Sequence, residues 1–486
     1  MSWRPVFPRP RGLAAWLVGF VALALPARAQ TPADVGQWSS VMTWPITATH
    51  ASLQPDGKVM FVGEFDEGNL PPRRWDPVTN TVTSLPFPGY NIFCSGHSYL
   101  SDGKLLFTGG HVTSDVGLND ASLFDPFASS WIRLPDMNAG RWYPTNTTLS
   151  NGDVLVLSGE MNGSGDINTL PQRYLAATRT WKNMTTARLS LPLYPKMFLA
   201  PSGRLFYAGP GRGSRWLSTA GTGTWSTGPS SNFGTRSYGP AVYVDARVYV
   251  IGGGDPPTPT TEVIDLNLDA PTWRYVSSMG TRRRQHNATL LPDGTVLVTG
   301  GSSGSGFDNA STPVFQAELY DPTANTWRRL SSNTVYRGYH STTVLLPDGR
   351  VLSAGGRNRP TAEVFSPPYL FKGPRPTLAA APDTVMPGTT FTVSTPDAAS
   401  ISKVTLIALG STTHTFDMNQ RLNTLKFTRG TGSLTVTAPS FNSRAPPGFH
   451  QLFLVNDAGV PSVGRMVRVL RRPTVAAGAL QEEGEQ

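Results

Sequence analysis

The 486-residue chain carries 41 Lys and Arg against 32 Asp and Glu, yet Arg4, Arg9, Arg11 and Arg28 fall in a first stretch of 29 residues that holds no acid; without them the formal charge drops from +9 to +5. The remaining basic residues are scattered except for Arg282, Arg283 and Arg284, read as a solvated turn, so charge points to no nucleic acid as partner. A single cysteine, Cys94, excludes an internal disulfide, and burial must stabilise a chain long enough for two or more cores.

In chain order, residues 1–29 read as a signal peptide: a basic start, an apolar run from Leu13 to Leu25, and Ala27-Arg28-Ala29 before Gln30. That run is too short to span a bilayer, and no later stretch approaches about twenty apolar residues. A secreted or periplasmic protein without a membrane anchor is expected, and a monomer.

A repeat follows: a turn, a short β-branched and aromatic run, then a small-residue break. It occurs as PDGKVMFVGE (55–64), SDGKLLFTGG (101–110), SNGDVLVLSG (150–159), PSGRLFYAGP (201–210), VDARVYVIGG (244–253), PDGTVLVTGG (292–301) and PDGRVLSAGG (347–356). Each apolar-turn-apolar unit reads as a hairpin. Third strands such as RRWDP, SLFDP and ELYDP follow several copies, and fourth strands with Trp131, Trp181, Trp225, Trp273 and Trp327 follow most. Four strands every 43 to 55 residues make a propeller blade, and seven copies make the ring. The last copy has AEVFSP (362–367) but no Trp strand, whereas GQWSS (36–40) is a spare one; the amino terminus should complete the last blade.

From about Pro376 the pattern becomes Thr/Val/Ser-rich alternation with long loops, which suits an immunoglobulin-like sandwich. The expected fold is all-β: a seven-bladed kelch-type propeller over 30–372, a sandwich over 373–472, and a disordered tail over 473–486.

Counting nine residues back from each turn glycine marks the foot of each inner strand. Gly103 gives Cys94, Gly152 Tyr143, Gly203 Tyr194 and Gly349 His340, with Tyr339 adjacent; the other copies give Ala48, Gln285 and, with Ala246 as the turn residue, Ser237. These positions ring one end of the channel, and Cys94 and Tyr143 belong to neighbouring blades. Aromatic residues at a repeated position are most often packing, and fold alone implies no function. Imidazole and phenolate together, however, suit copper in a tetragonal site, and a thiol beside a phenol offers sulfur for covalent tuning. Zinc fits less well, since no Cys/His cluster has zinc spacing.

The segments FCSGH (93–97), RWYPT (141–145), YRGYHS (336–341), STTHTFDMNQR (411–421) and PPGFHQLFLVNDAGVPS (446–462) resemble the copper radical oxidases, galactose oxidase and especially glyoxal oxidase, over nearly the whole chain after the leader. The resemblance implies a thioether between Cys94 and Tyr143, with Tyr143 ligating copper and storing one oxidising equivalent as a ring radical. It also implies His340 and His414 as imidazole ligands, and Tyr339 as an axial phenolate that takes the substrate hydroxyl proton. His414 would reach the channel on a hairpin of the sandwich. A small aldehyde or alcohol and O2 would be the reaction partners, H2O2 a product, and copper with the Cys94–Tyr143 radical cofactor the redox machinery.

Three departures bear on substrate. Galactose-oxidising members carry arginine where this chain has Pro195, and a tryptophan over the cross-link where it has Met161; the amino-terminal carbohydrate-binding domain of galactose oxidase has no counterpart here. These favour small aldehydes or primary alcohols. The rival reading is a non-catalytic kelch propeller that binds glycans or a protein partner. His97 and His111 read as structural or surface residues, His50, His286 and His450 carry no role, and Asn146, Asn183 and Asn287 head glycosylation sequons.

Overall fold

The computed structural model describes residues 1–6 and 30–473, so the leader run over 7–29 and the tail from 474 lie outside the described residues. It is almost entirely β, and among the described residues no helix is long and apolar enough to cross a membrane.

Seven antiparallel sheets carry the repeat. Their inner strands are His50–Leu53, Gly96–Tyr99, Thr145–Thr148, Met197–Leu199, Ala241–Val244, Arg284–Leu290 and Ser341–Leu345. These strands are buried at every residue, because each blade is covered on both faces, while outer strands such as Thr180–Asn183 are largely exposed. The tryptophans of the outer strands hook successive blades together. Trp131 Nε1 donates to Pro86 O, Trp181 to Pro135 O, Trp225 to Ala187 O and Trp327 to Ser277 O, all at 2.7–2.8 Å. The amino-terminal strand Gln37–Trp38 pairs with Phe365 and Ser366 in the seventh sheet, and Trp38 Nε1 donates to Ser331 O at 3.0 Å. The spare Trp strand thus does for the last blade what the others do for theirs.

The carboxyl-terminal unit packs a three-stranded sheet (Thr390–Ser394, Phe427–Gly430, Ser433–Thr437) on a larger one built from Ile401–Ala408, Leu422–Leu425, Gly448–Asn456 and Arg465–Val469. Its apolar core includes Val393, Val404, Leu434 and Leu452. Two strand pairings tie it to the propeller: Leu422 pairs in parallel with Val244 of blade five, and the hairpin Ser411–Thr413/Phe416–Asp417 pairs along blade one, with His50 opposite Thr413. That hairpin carries His414 into the channel.

Two readings from sequence are corrected. The Arg282–Arg284 run is not a solvated turn: Arg283 is fully buried and donates to Glu318 Oε1 at 2.6 Å, and Arg284 is 4% exposed with its guanidinium 5.2 Å from the Tyr238 ring. In blade five the residue at the ring position is Tyr238, not Ser237. Asp245 and Ala246, both with positive φ, form a two-residue turn between the paired Val244 and Arg247, whereas in blade two three residues separate the bonded Leu100 and Lys104. The shorter turn moves the count by one.

Candidate metal centre

The feet of six inner strands share one unusual backbone state. Cys94, Tyr143, Tyr194, Tyr238, Gln285 and His340 all have φ between 44° and 66°, the left-handed region that non-glycine residues enter at a cost. Main-chain bonds link neighbours around the ring: Tyr143 N donates to Cys94 O and Tyr194 N to Tyr143 O, each at 2.9 Å, and Gln285 N to Tyr238 O at 2.7 Å. The geometry that places Cys94 beside Tyr143 is therefore set by backbone as well as side chain.

Four of the residues singled out by sequence converge on one point. The Tyr143 and Tyr339 hydroxyls are hydrogen-bonded to each other. The His414 ring lies 4.4 Å from that of Tyr143 and 4.7 Å from that of His340, and His340 stacks on Tyr339 at 3.9 Å. Cys94, fully buried, packs in the apolar cluster of Phe93, Tyr143 and Tyr194. Burial pushes its thiol well up, against hydrogen bonds from the side chains of Tyr143 and Trp142.

Each imidazole is held by one nitrogen. His340 Nδ1 donates to Glu64 Oε1 at 2.8 Å, and His414 Nδ1 lies 2.6 Å from Thr413 Oγ1. Their Nε2 atoms are buried without a protein partner, so each keeps a lone pair open to a ligand. Burial holds both rings neutral, as metal ligation requires, although Glu64 pulls His340 the other way. Burial likewise pushes the Tyr143 and Tyr339 phenols well up, so a cation is needed to bring out the phenolates. Two open imidazole nitrogens and two phenol oxygens fit copper(II). Among the described residues no group of three or more His, Cys, Asp or Glu could hold a metal, so such a site depends on its phenols.

Four neighbours escaped the sequence reading: Trp142, Glu64, Lys196 and Phe307. Trp142 stacks on the Tyr143 ring at 3.8 Å and 13°, where the family places a tryptophan from the position of Met161, and its Nε1 donates to His111 Nδ1 at 3.0 Å. Tyr194 covers the other face at 4.6 Å. The only hint lay in RWYPT itself, since a left-handed residue can bring the preceding side chain alongside its own. Glu64 reaches His340 across 276 residues of chain. Lys196, two residues after Tyr194, lines a cavity of about 200 Å³ with Tyr143, Ser237, Tyr238 and His414. Its Nζ donates to Gly239 O, and burial draws its pKa down to about 7. Half-exposed Phe307 stands edge-on to Tyr339 at 4.5 Å. Of the sequons, Asn146 and Asn287 are buried and hydrogen-bonded inside the propeller.

An imidazole and phenol donor set at the end of a propeller channel is suited to holding a transition metal such as copper. Comparison with known proteins is specific. Residues 375–469 match the "Galactose oxidase-like, Early set domain" family and residues 257–369 the "Glyoxal oxidase N-terminus" family. The chain is 31% identical to galactose oxidase of Gibberella zeae, over 90% of this chain and 71% of that one. It is 31% identical to aldehyde oxidase GLOX of Vitis pseudoreticulata, over 78% of this chain and 82% of that one. A fungal alcohol oxidase solved in complex with copper superposes with a TM-score of 0.81 at 25% identity, covering 90% of this chain and all of that one. The chain belongs to the galactose oxidase and glyoxal oxidase family of copper oxidoreductases.

Proposed function

We propose that this protein is an exported, monomeric copper radical oxidase that oxidises small aldehydes or primary alcohols with O2 and releases H2O2. The observation that carries the reading is the pair of buried, unpartnered Nε2 atoms on His340 and His414, whose rings pack against Tyr143 and Tyr339 with their bonded hydroxyls. Those four atoms would hold copper, which supplies a one-electron couple and a positive charge that favours phenolate.

The rest of the chemistry belongs to the chain. Joining Cys94 to Tyr143 removes the Sγ–H and one ring C–H, forms one C–S bond, and passes two electrons and two protons to O2 as H2O2. The sulfur-bearing ring then stores the second oxidising equivalent that a two-electron oxidation needs. Trp142 and Tyr194 stack on its two faces and keep water from it. Tyr339 takes the proton of the substrate hydroxyl, or of an aldehyde hydrate. The substrate loses two electrons and two protons, and O2 accepts them. A cavity of about 200 Å³ suits a small substrate, and Pro195 stands where galactose-oxidising members carry a sugar-contacting arginine.

A peroxide-coupled screen of copper-loaded protein against small aldehydes, primary alcohols and galactose tests the reading. Turnover of small aldehydes or simple alcohols above galactose is expected; no peroxide from any of them refutes it. Cys94→Gly should keep copper and lose most peroxide production, and an unchanged rate contradicts the role given to sulfur.

A further inference from the structure

Two buried histidines outside this mechanism lie beside the centre. His50 opens the inner strand of blade one and His97 sits in that of blade two, both 1% exposed or less. The Cys94 main-chain N–H donates to His50 Nε2 at 3.0 Å, and His50 Nδ1 is 3.0 Å from His97 Nε2. His97 Nδ1 is 2.5 Å from Ser411 Oγ, itself 2.8 Å from Ser52 Oγ. A main-chain N–H can only donate, and this orders the bonds from Cys94 through both imidazoles to Ser411. With both rings neutral, His50 carries its proton on Nδ1 and donates to His97, which carries its own on Nδ1 and donates to Ser411. Between Ser411 and Ser52 either hydroxyl can donate.

The chain joins the two halves of the centre. At one end is Cys94, buried and held at a φ of 62°, and His50 is the one hydrogen-bond acceptor recorded for its N–H among the described residues. At the other end is Ser411, in the hairpin that carries His414. His50 also pairs across the sheet with Thr413, whose hydroxyl holds His414 Nδ1. Neither imidazole is hydrogen-bonded to a reacting atom.

We infer that His50 and His97 are positioning residues, which hold the Cys94 main chain in register with the His414 hairpin so that the thiol meets the Tyr143 ring. The inference rests on the cross-linked centre proposed above. It assigns the pair to assembly of the redox cofactor, by the same loss of Sγ–H and ring C–H to O2 already balanced there.

The test compares His50→Gln with His50→Leu. The glutamine amide can accept from Cys94 N–H and donate to His97 Nε2; leucine fills comparable space and does neither. Each protein is loaded with copper without oxygen, then exposed to O2, and the loss of two hydrogens is timed by mass. Wild type and His50→Gln should cross-link at similar rates and His50→Leu slower by on the order of tenfold or more, with copper per chain unchanged. Leucine at the wild-type rate, or glutamine as slow as leucine, overturns the inference. If His50→Leu does not fold, Ser411→Ala removes the far end of the chain and should slow the same step; an unchanged rate there overturns it equally. A wild-type protein that never cross-links overturns the proposed centre itself, and the inference with it.

Discussion

In Glu64→Gln the group that orients His340 changes by one atom and one charge. Glu64 accepts twice: Oε1 takes His340 Nδ1–H at 2.8 Å, and Oε2 takes the Asn358 main-chain N–H at 3.0 Å. An amide of the same shape has one acceptor oxygen, so one of the two donors must face an NH2 group. Glu64 is 2% exposed and His340 6%, and a bond to a carboxylate is charge-assisted, so its loss weighs more than that of a neutral bond. Partners of ligating histidines of this kind are worth about 10–100-fold in metal affinity, or about 1.4–2.7 kcal/mol. Copper(II) affinity should fall by that factor in a chelator-competition titration, while the fold and the copper stoichiometry at saturation hold. Wild-type affinity in the variant would refute the view that His340 presents Nε2 to a metal because Glu64 fixes Nδ1.

Further consequences follow from the same geometry. Trp142→Leu should bind copper normally but shorten the lifetime of the oxidised centre, since it uncovers one face of Tyr143; decay of the radical's visible absorption after oxidation measures this, and an unchanged lifetime counts against the shielding role. Burial draws His450 down to about 4 and His97 to about 3, against about 6.5 when unfolded. The unfolded chain therefore binds more protons below 6.5: stability is full above that value and is lost as pH falls toward the folded pKa. Each ring removes about 2 kcal/mol between pH 7 and 5. Buried Asp293 and Asp417, whose carboxyls are raised, oppose this. His450→Gln isolates the histidine part: in urea unfolding of the metal-free protein, the drop from pH 7 to 5 should shrink by about 2 kcal/mol, and an unshrunken drop contradicts the assignment.

Much of this architecture was legible because turns and tryptophans repeat. The turn glycines mark the hairpins, and the phase between turn and strand foot locates Cys94, Tyr143, Tyr194 and His340. The nine-residue count misses in blade five, where the Asp245-Ala246 turn is one residue shorter and hides Tyr238. The buried arginines were misread because Arg283 meets Glu318 only once its own blade has folded. Glu64 and His340, like Cys94 and His50, meet through strands that the fold brings together from distant sequence, and no local pattern announces such pairs. His50 and His97 looked like isolated core histidines; only the ladder between blade one and the Ser411–Thr413 strand gives them a shared direction.

The proposed redox centre exists only if the thiol in blade two and the phenol in blade three become one group. Peptide mass mapping of aerobic, copper-loaded protein measures this most directly. The Cys94 and Tyr143 peptides should appear joined, two hydrogens lighter than their sum; separate peptides with a freely titrating thiol would contradict it.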